Sequence, residues 1–474
     1  MMSVILKNTG FMMWSGAMSM INSLLVWAIV ARYLGPAALG QFTLIMAIYL
    51  VFFNVCSLGL GPLIVREVAS RRGATGEFLG SMTSVLSVGG LTCGGIMVGV
   101  GWVVSQDTLV VQSLMVLSLS VFATALIVGC ESWLMAHERA SMIAAVNTSE
   151  NLLKAVVPWL LIHLGFGLLA VSATLALLRV GALIVYVMAL RRSAVLLASP
   201  SRRCMQEILR QTPAFLFINL LAGLHWQLGT LLLDRHHEAT DVAMYGVASR
   251  LLVPWTLICV SYAASINPTM CRLASLSLAE LGRFSRSSMS NLLALLLPLA
   301  AGTYLMSEQV IGLLFGAGYE SAAAPLRVLI WSLIPLGMVT VLARSLMATN
   351  KQHVDAWGNA LAVAVNVALN LVLIPKFGAT GVAMAQLISI TALCLLEFAY
   401  VSATLYQVSL LRLSGRLLVA TAVMVVIVYG LREQTIWMIV PLSVVCYAAC
   451  LMALGWRPAL GDTSERELKS EVAS

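Results

Sequence analysis

Five cations stand inside strongly apolar stretches of this chain: Lys154, Arg179, Arg250, Arg327 and Arg344. Three acids, Glu131, Glu150 and Glu397, keep similar company. Arg179 lies in LALLRVGALIVY and Arg250 in MYGVASRLLVPW. A charge near the centre of a hydrocarbon layer costs at least about 2.5–3.5 kcal/mol, so such residues face a bundle interior or a water-filled cavity. Two kinds of chemistry are open to them. A fixed guanidinium holds a phosphate or carboxylate through paired hydrogen bonds, and a carboxyl group in low dielectric binds and releases protons near neutral pH.

Depth ranks the candidates. Arg179 is about 12 residues from the pair Arg191 and Arg192, roughly 18 Å at 1.5 Å per residue, too far for its side chain to reach water. Arg250 is about nine residues past Asp241, or about 13 Å along a helix. Each is therefore either a cavity cation that meets substrate or one half of a buried ion pair. Arg344, about 10 Å before Lys351 by the same rise, is within reach of the interface. Arg327 stands near the start of its apolar segment and reads as an interfacial anchor. Lys154 follows Glu150 at i+4, the spacing of an intrahelical ion pair. The candidate cavity cations are Arg179, Arg250, Arg344 and Lys154, with the interface as the alternative for Arg344 and the Glu150 ion pair for Lys154; the ion-coupling candidates are Glu131, Glu150 and Glu397. His163 and His225 lie near segment ends and read as interfacial polar residues.

Apolar helices have to position these groups. The 474 residues are 60% hydrophobic and 10% charged, against roughly 25% charged in a soluble domain. Apolar segments long enough to span about 30 Å of hydrocarbon centre near residues 20, 49, 92, 119, 154, 178, 223, 256, 298, 336, 364, 391, 423 and 445. About fourteen transmembrane helices in an all-α integral membrane protein are expected, the segments near 154 and 445 being the weakest. The first run, from Gly10 to Val30, exceeds the 7–15-residue core of a cleaved signal peptide and reads as a retained span.

Threading these spans with the N-terminus in the cytoplasm puts 19 of the 28 Lys and Arg on the cytoplasmic side and leaves Arg32, Arg235, Lys376 and Arg432 outside. That is the positive-inside asymmetry. It accounts for the net charge of +8 without a nucleic-acid partner, and it places both termini in the cytoplasm. The nine cysteines include no CxxC pair and read as small buried hydrophobes. No phosphate-binding GxxxxGK[ST] loop, HExxH or GxSxG motif occurs, so direct ATP drive, catalysis, a metal site and a cofactor are not expected.

Two repeats organise the chain. LMAHERASMIAAVN (Leu134–Asn147) aligns without a gap on LMATNKQHVDAWGN (Leu346–Asn359), and ALGQFTLI around Gly40 parallels MYGVASRL around Gly246. The offsets correspond to six spans, which keeps both copies in the same orientation. The expected organisation is an N-terminal six-helix lobe (1–195), a cytoplasmic linker (196–212), a C-terminal six-helix lobe (213–408), two additional helices (409–456) and a cytoplasmic polar tail (457–474). Repeat-built membrane proteins of this kind are transporters.

The stretch NKQHVDAWGNALAVAVNVALNLVLIPKFGATGVAMAQLIS (Asn350–Ser389) resembles the polysaccharide flippases of the multidrug, oligosaccharidyl-lipid and polysaccharide exporter superfamily. ARYLGPAALGQFTLI (Ala31–Ile45), YGVASRL (Tyr245–Leu251) and LLFGAGYESAAAPLRVL (Leu313–Leu329) fit the same pattern. The resemblance implies a V-shaped bundle of two parallel six-helix lobes plus two C-terminal helices, similar to multidrug and toxin exporters and working by alternating access. It also implies a cargo: a polyprenyl-pyrophosphate-linked oligosaccharide, moved from the cytoplasmic to the outer leaflet of a bacterial inner membrane. The coupling ion would be H+ or Na+, and membrane lipids, a polysaccharide polymerase and export proteins would be partners. Cavity cations would hold the pyrophosphate, with Arg250 in YGVASRL carrying the clearest motif. Relatives often carry an aspartate midway along the seventh span, where this chain reads LHWQLGTLLLD and places Asp234 at the outer end, so coupling at that place is not expected. Trp133, Trp159, Trp226 and Trp331 are either sugar-stacking or interfacial residues. A multidrug or cation antiporter and a lipid-linked peptidoglycan precursor flippase are the alternative functions.

Overall fold

The computed structural model describes residues 2–70, 75–137, 139–192, 199–431 and 434–456. Among the described residues all regular structure is helical, as an apolar environment demands, since a helix satisfies its backbone N–H and C=O groups within itself. In chain order the helices are α1 (Met2–Val55), α2 (Gly61–Ser70), α3 (Thr75–Val104), α4 (Thr108–Ala136), α5 (Ala140–His163), α6 (Leu168–Arg192) and α7 (Arg202–His236). They continue as α8 (Ala239–Leu276), α9 (Leu278–Leu305), α10 (Ser307–Phe315), α11 (Ala323–Leu329), α12 (Leu333–Ala348), α13 (Gln352–Thr404), α14 (Leu410–Gly430) and α15 (Ile436–Ala453).

Every apolar centre read from the sequence falls on one of these helices. α1 and α13 each carry two, because each is a pair of helical arms joined at a kinked glycine, Gly35 (φ 83°) and Gly378 (φ 51°). Only a residue without Cβ takes such a backbone at little cost. Among the described residues, nine helical stretches are long and apolar enough to cross a membrane by length and composition. α5, which holds Glu150 and Lys154, is not among them. α14 carries an apolar stretch over Ser414–Gly430. Residues 202–212, the second half of the polar connection expected near mid-chain, form the opening turns of α7. The tail, 457–474, lies outside the described residues.

The chain divides into two compact units, Met1–Val247 with Leu314–Tyr319, and Ala248–Leu313 with Glu320–Ser474. In the first unit α4 packs against α2, α3 and α6, while α1 packs against α5 and α7. Its core joins Leu60, Ile64, Met82, Leu86, Ile127 and Tyr186. In the second, α9 packs against α12 and α14, and α13 against α11 and α12. That core joins Leu297, Met338, Leu393, Leu417, Ile439 and Tyr447. The two copies of the shorter repeat meet inside the first unit. A Cβ on Gly40 would stand 1.8 Å from the Ala239 carbonyl oxygen, and one on Gly246 would stand 2.5 Å from Thr43 Oγ1. Both glycines are the condition for that close approach.

Candidate functional site

The first unit gathers three of the charges singled out above. Glu150 on α5 is the hub, its side chain only 5% exposed. Its Oε2 lies 3.0 Å from Arg179 Nη1 on α6, and its Oε1 lies 2.6 Å from Lys154 Nζ one turn along α5. Two cations therefore share one carboxylate. Arg179 Nε also donates to Thr124 Oγ1 on α4 at 3.0 Å, and its guanidinium lies 5.5 Å from the centre of the Phe53 ring on α1. Side-chain exposure rises from 11% at Arg179 to 23% at Lys154, so Lys154 is the more accessible cation of the pair.

One layer along, Glu131 on α4 accepts from Tyr186 Oη on α6 at 3.0 Å and from Asn147 Nδ2 on α5 at 3.2 Å. The geometry has a simple origin. Thr124 and Glu131 are two turns apart on α4, as are Arg179 and Tyr186 on α6, and both contacts join residues 55 apart in sequence. A constant offset is the mark of two parallel helices in fixed register, and it follows from α4 and α6 both being even-numbered spans. α5 runs the other way between them, so Asn147 meets the Glu131 layer and Glu150 the Arg179 layer. On the α1 side, Tyr49 Oη and Ser120 Oγ share a 2.8 Å hydrogen bond. These neutral partners, Thr124, Asn147 and Tyr186, were not among the sequence candidates.

Chemically, the Arg179 layer is a compensated ion cluster, one carboxylate held between two cations. A guanidinium presents several N–H groups, and here one goes to Glu150 and another to Thr124. The Glu131 layer lacks a cation partner among the described ion pairs and holds its carboxyl through two neutral donors.

The remaining charged candidates lie in the second unit. Arg250 is half-buried on α8. Arg344 on α12 has Nη1 3.6 Å from Met347 Sδ. Glu397, on the second arm of α13, is 0% exposed. Arg327 pairs with Glu308 at 2.8 Å, both side chains substantially exposed, as suits an interfacial anchor. Of the tryptophans, Trp133 is buried and stacks on His137 at 3.9 Å, whereas Trp159 and Trp226 are exposed. A further polar cluster, which the sequence candidates did not include, lies on α13: Asn366 Nδ2 donates to Gln386 Oε1 and Ser389 Oγ, and Asn370 Nδ2 donates to Asn366 Oδ1. It ties the two arms of α13 to each other.

A profile described as "Polysaccharide biosynthesis protein" matches residues 5–274. Among characterised proteins, the chain is 26% identical over 164 residues to the probable low-salt glycan biosynthesis flippase Agl15 of Haloferax volcanii. That match covers 34% of this chain and spans 35% of the relative's length. Among solved structures, the lipid II flippase MurJ in an inward closed conformation superposes with a TM-score of 0.77 at 15% identity, covering 94% of this chain and 98% of that one. An inward-facing multidrug resistance transporter of the MATE family gives 0.67 at 16% identity, covering 84% and 95%. These two likenesses establish the fold and its all-α membrane class.

Proposed function

The chain belongs to the polysaccharide biosynthesis protein family, and from that premise we propose that it is a flippase for a lipid-linked glycan. The cargo is a polyprenyl-pyrophosphate-linked oligosaccharide repeat unit, moved from the cytoplasmic to the outer leaflet of a bacterial inner membrane for O-antigen, capsule or exopolysaccharide synthesis. The movement is by alternating access driven by a gradient of H+ or Na+. A polysaccharide polymerase and export proteins would receive the product.

The observation that carries this reading is the sharing of Glu150 between Arg179 and Lys154 inside a membrane-spanning bundle. A pyrophosphate cannot enter hydrocarbon unless its lost hydration is replaced, and guanidinium and ammonium groups replace it through charge-assisted hydrogen bonds. The carboxylate keeps those cations compensated while the site is empty, because a buried charge without a partner is costly. Cargo binding then exchanges one anion for another, and release restores the internal pair. Arg250 and Arg344, in the second unit, are assigned the same anion-holding role, and Glu131, Glu150 and Glu397 the handling of the coupling ion.

The test is genetic and biochemical. A deletion strain is expected to accumulate the polyprenyl-linked repeat unit in the cytoplasmic leaflet and to lose the surface polysaccharide. Plasmid-borne Arg179→Ala should insert normally and fail to restore either. Unchanged lipid-linked sugars in the deletion strain would refute the cargo assignment, and full rescue by Arg179→Ala would refute the role of the triad.

A further inference from the structure

Glu397 occupies an unusual position for a carboxyl group. It is fully buried on the second arm of α13, and neither of its oxygens receives a hydrogen bond from an N–H or hydroxyl donor. The group it faces is another carboxyl, that of Asp355 in the first turn of the same helix. The packing of the arms explains the meeting. They run antiparallel, and a Cβ on Gly358 would lie 2.8 Å from Leu393 and 3.5 Å from Leu396. One turn before Gly358 is Asp355, and the residue after Leu396 is Glu397. Asp355 Oδ1 is occupied by Asn359 Nδ2 at 2.7 Å.

No cation among the described residues compensates the two carboxyls. Lys351, nearest along the chain, lies over the Tyr400 ring at 5.3 Å. On the helices around them, Arg344 contacts Met347, Arg327 pairs with Glu308, Arg286 donates to the Gln407 carbonyl and Arg416 to the Gly455 carbonyl. Cys394 and Tyr400 lie one turn before and one turn after Glu397 on its arm, and exposed His353 stands two residues before Asp355. Two ionised carboxylates, one without any donor, are not a tenable arrangement in low dielectric. One proton between them removes a charge and creates the missing donor, as in other closely spaced carboxyl pairs.

We propose that Glu397 and Asp355 form a proton-binding pair, with the proton carried by Glu397 and donated in a hydrogen bond to Asp355. Release of that proton leaves two like charges on the facing arms of α13 and favours their parting. Its use as the coupling ion rests on the flippase reading above; the proton site itself does not.

The experiment is an infrared pH titration of the full-length protein in phospholipid nanodiscs, without cargo. A free glutamic acid ionises at about pH 4.3. In the wild type, the C=O stretch of a protonated carboxyl is expected to persist well above that pH. Glu397→Gln should abolish the persistent band, and Asp355→Asn should move its loss to lower pH, because an amide donor stabilises the ionised form. Gel filtration establishes that each variant is folded, and either variant alone tests the pair. A persistent band unaltered in a folded Glu397→Gln or Asp355→Asn would overturn the assignment. So would loss of the band on replacing choline chloride by sodium chloride at constant pH, which would make the pair a sodium site. Because cargo is absent, these outcomes are independent of the flippase reading, which the leaflet assay tests separately.

Discussion

Substitution of Glu150 by glutamine separates the two roles that the Arg179 layer is asked to fill. In the structure the carboxylate compensates Arg179 at 3.0 Å and Lys154 at 2.6 Å. If it is the internal anion that cargo displaces, each bond broken counts against binding. A hydrogen bond to a charged group contributes about 1.5–3 kcal/mol. Removing the one to Arg179 should therefore tighten pyrophosphate binding by about 10- to 150-fold, at about 1.4 kcal/mol per tenfold. The glutamine amide retains the side-chain volume but leaves two cations incompletely compensated, so stability should fall, by at most the roughly 3–5 kcal/mol typical of breaking a buried pair. Tighter binding should also slow release, and turnover should drop although affinity rises. The assay is titration of the purified protein in nanodiscs with a short-chain polyprenyl pyrophosphate, beside thermal unfolding. A lowered Tm with unchanged or weaker affinity would show that the triad only clamps α5 to α6, and would refute the exchange mechanism.

Other outcomes follow from contacts in the first and second units. Gly40→Ala places a methyl group 1.8 Å from the Ala239 carbonyl oxygen, a backbone atom that cannot swing aside; overpacking of about 1–3 kcal/mol or more should appear as a loss of monodisperse protein on gel filtration. Arg327→Gln removes a pair whose partners are 39% and 63% exposed, and such pairs contribute about 0–1 kcal/mol. Unchanged Tm and unchanged cargo transport are expected there, and a transport defect would move Arg327 from anchor to functional cation.

The parts of this protein that were legible in the sequence are those on which the membrane sets a high energetic cost. Charges within apolar segments stand out because each is expensive, and the depth of Arg179 required either a partner or a cavity. The i+4 spacing of Glu150 and Lys154 gave one ion pair directly. The partner of Arg179 was not legible, since Glu150 lies 29 residues away and only the register of α5 against α6 brings them together. Thr124, Tyr186 and Asn147 were hidden for a different reason. Hydroxyl and amide side chains are common in apolar helices, and nothing marks them until the shared offset of 55 is known. Asp355 stands in the first turn of α13, where negative charge is favoured on any helix, so nothing in the sequence marks it. Its meeting with Glu397 depends on α13 turning back at Gly378 with the arms packed at Gly358.

The repeat reading had a consequence that sequence comparison alone could not supply. Gly40 and Gly246 were paired as equivalent positions of two copies. In the structure the segments that carry them are also in contact, Gly40 with Ala239 and Gly246 with Thr43 and Trp27. A glycine kept at equivalent places in two repeats can serve either a local bend or a close approach, and the contacts decide for the approach. Charge placement does not follow the same symmetry. Arg179 with Glu150 and Lys154 gives the first unit a compensated cation pair, while Glu397 with Asp355 gives the second a carboxyl pair without a described cation.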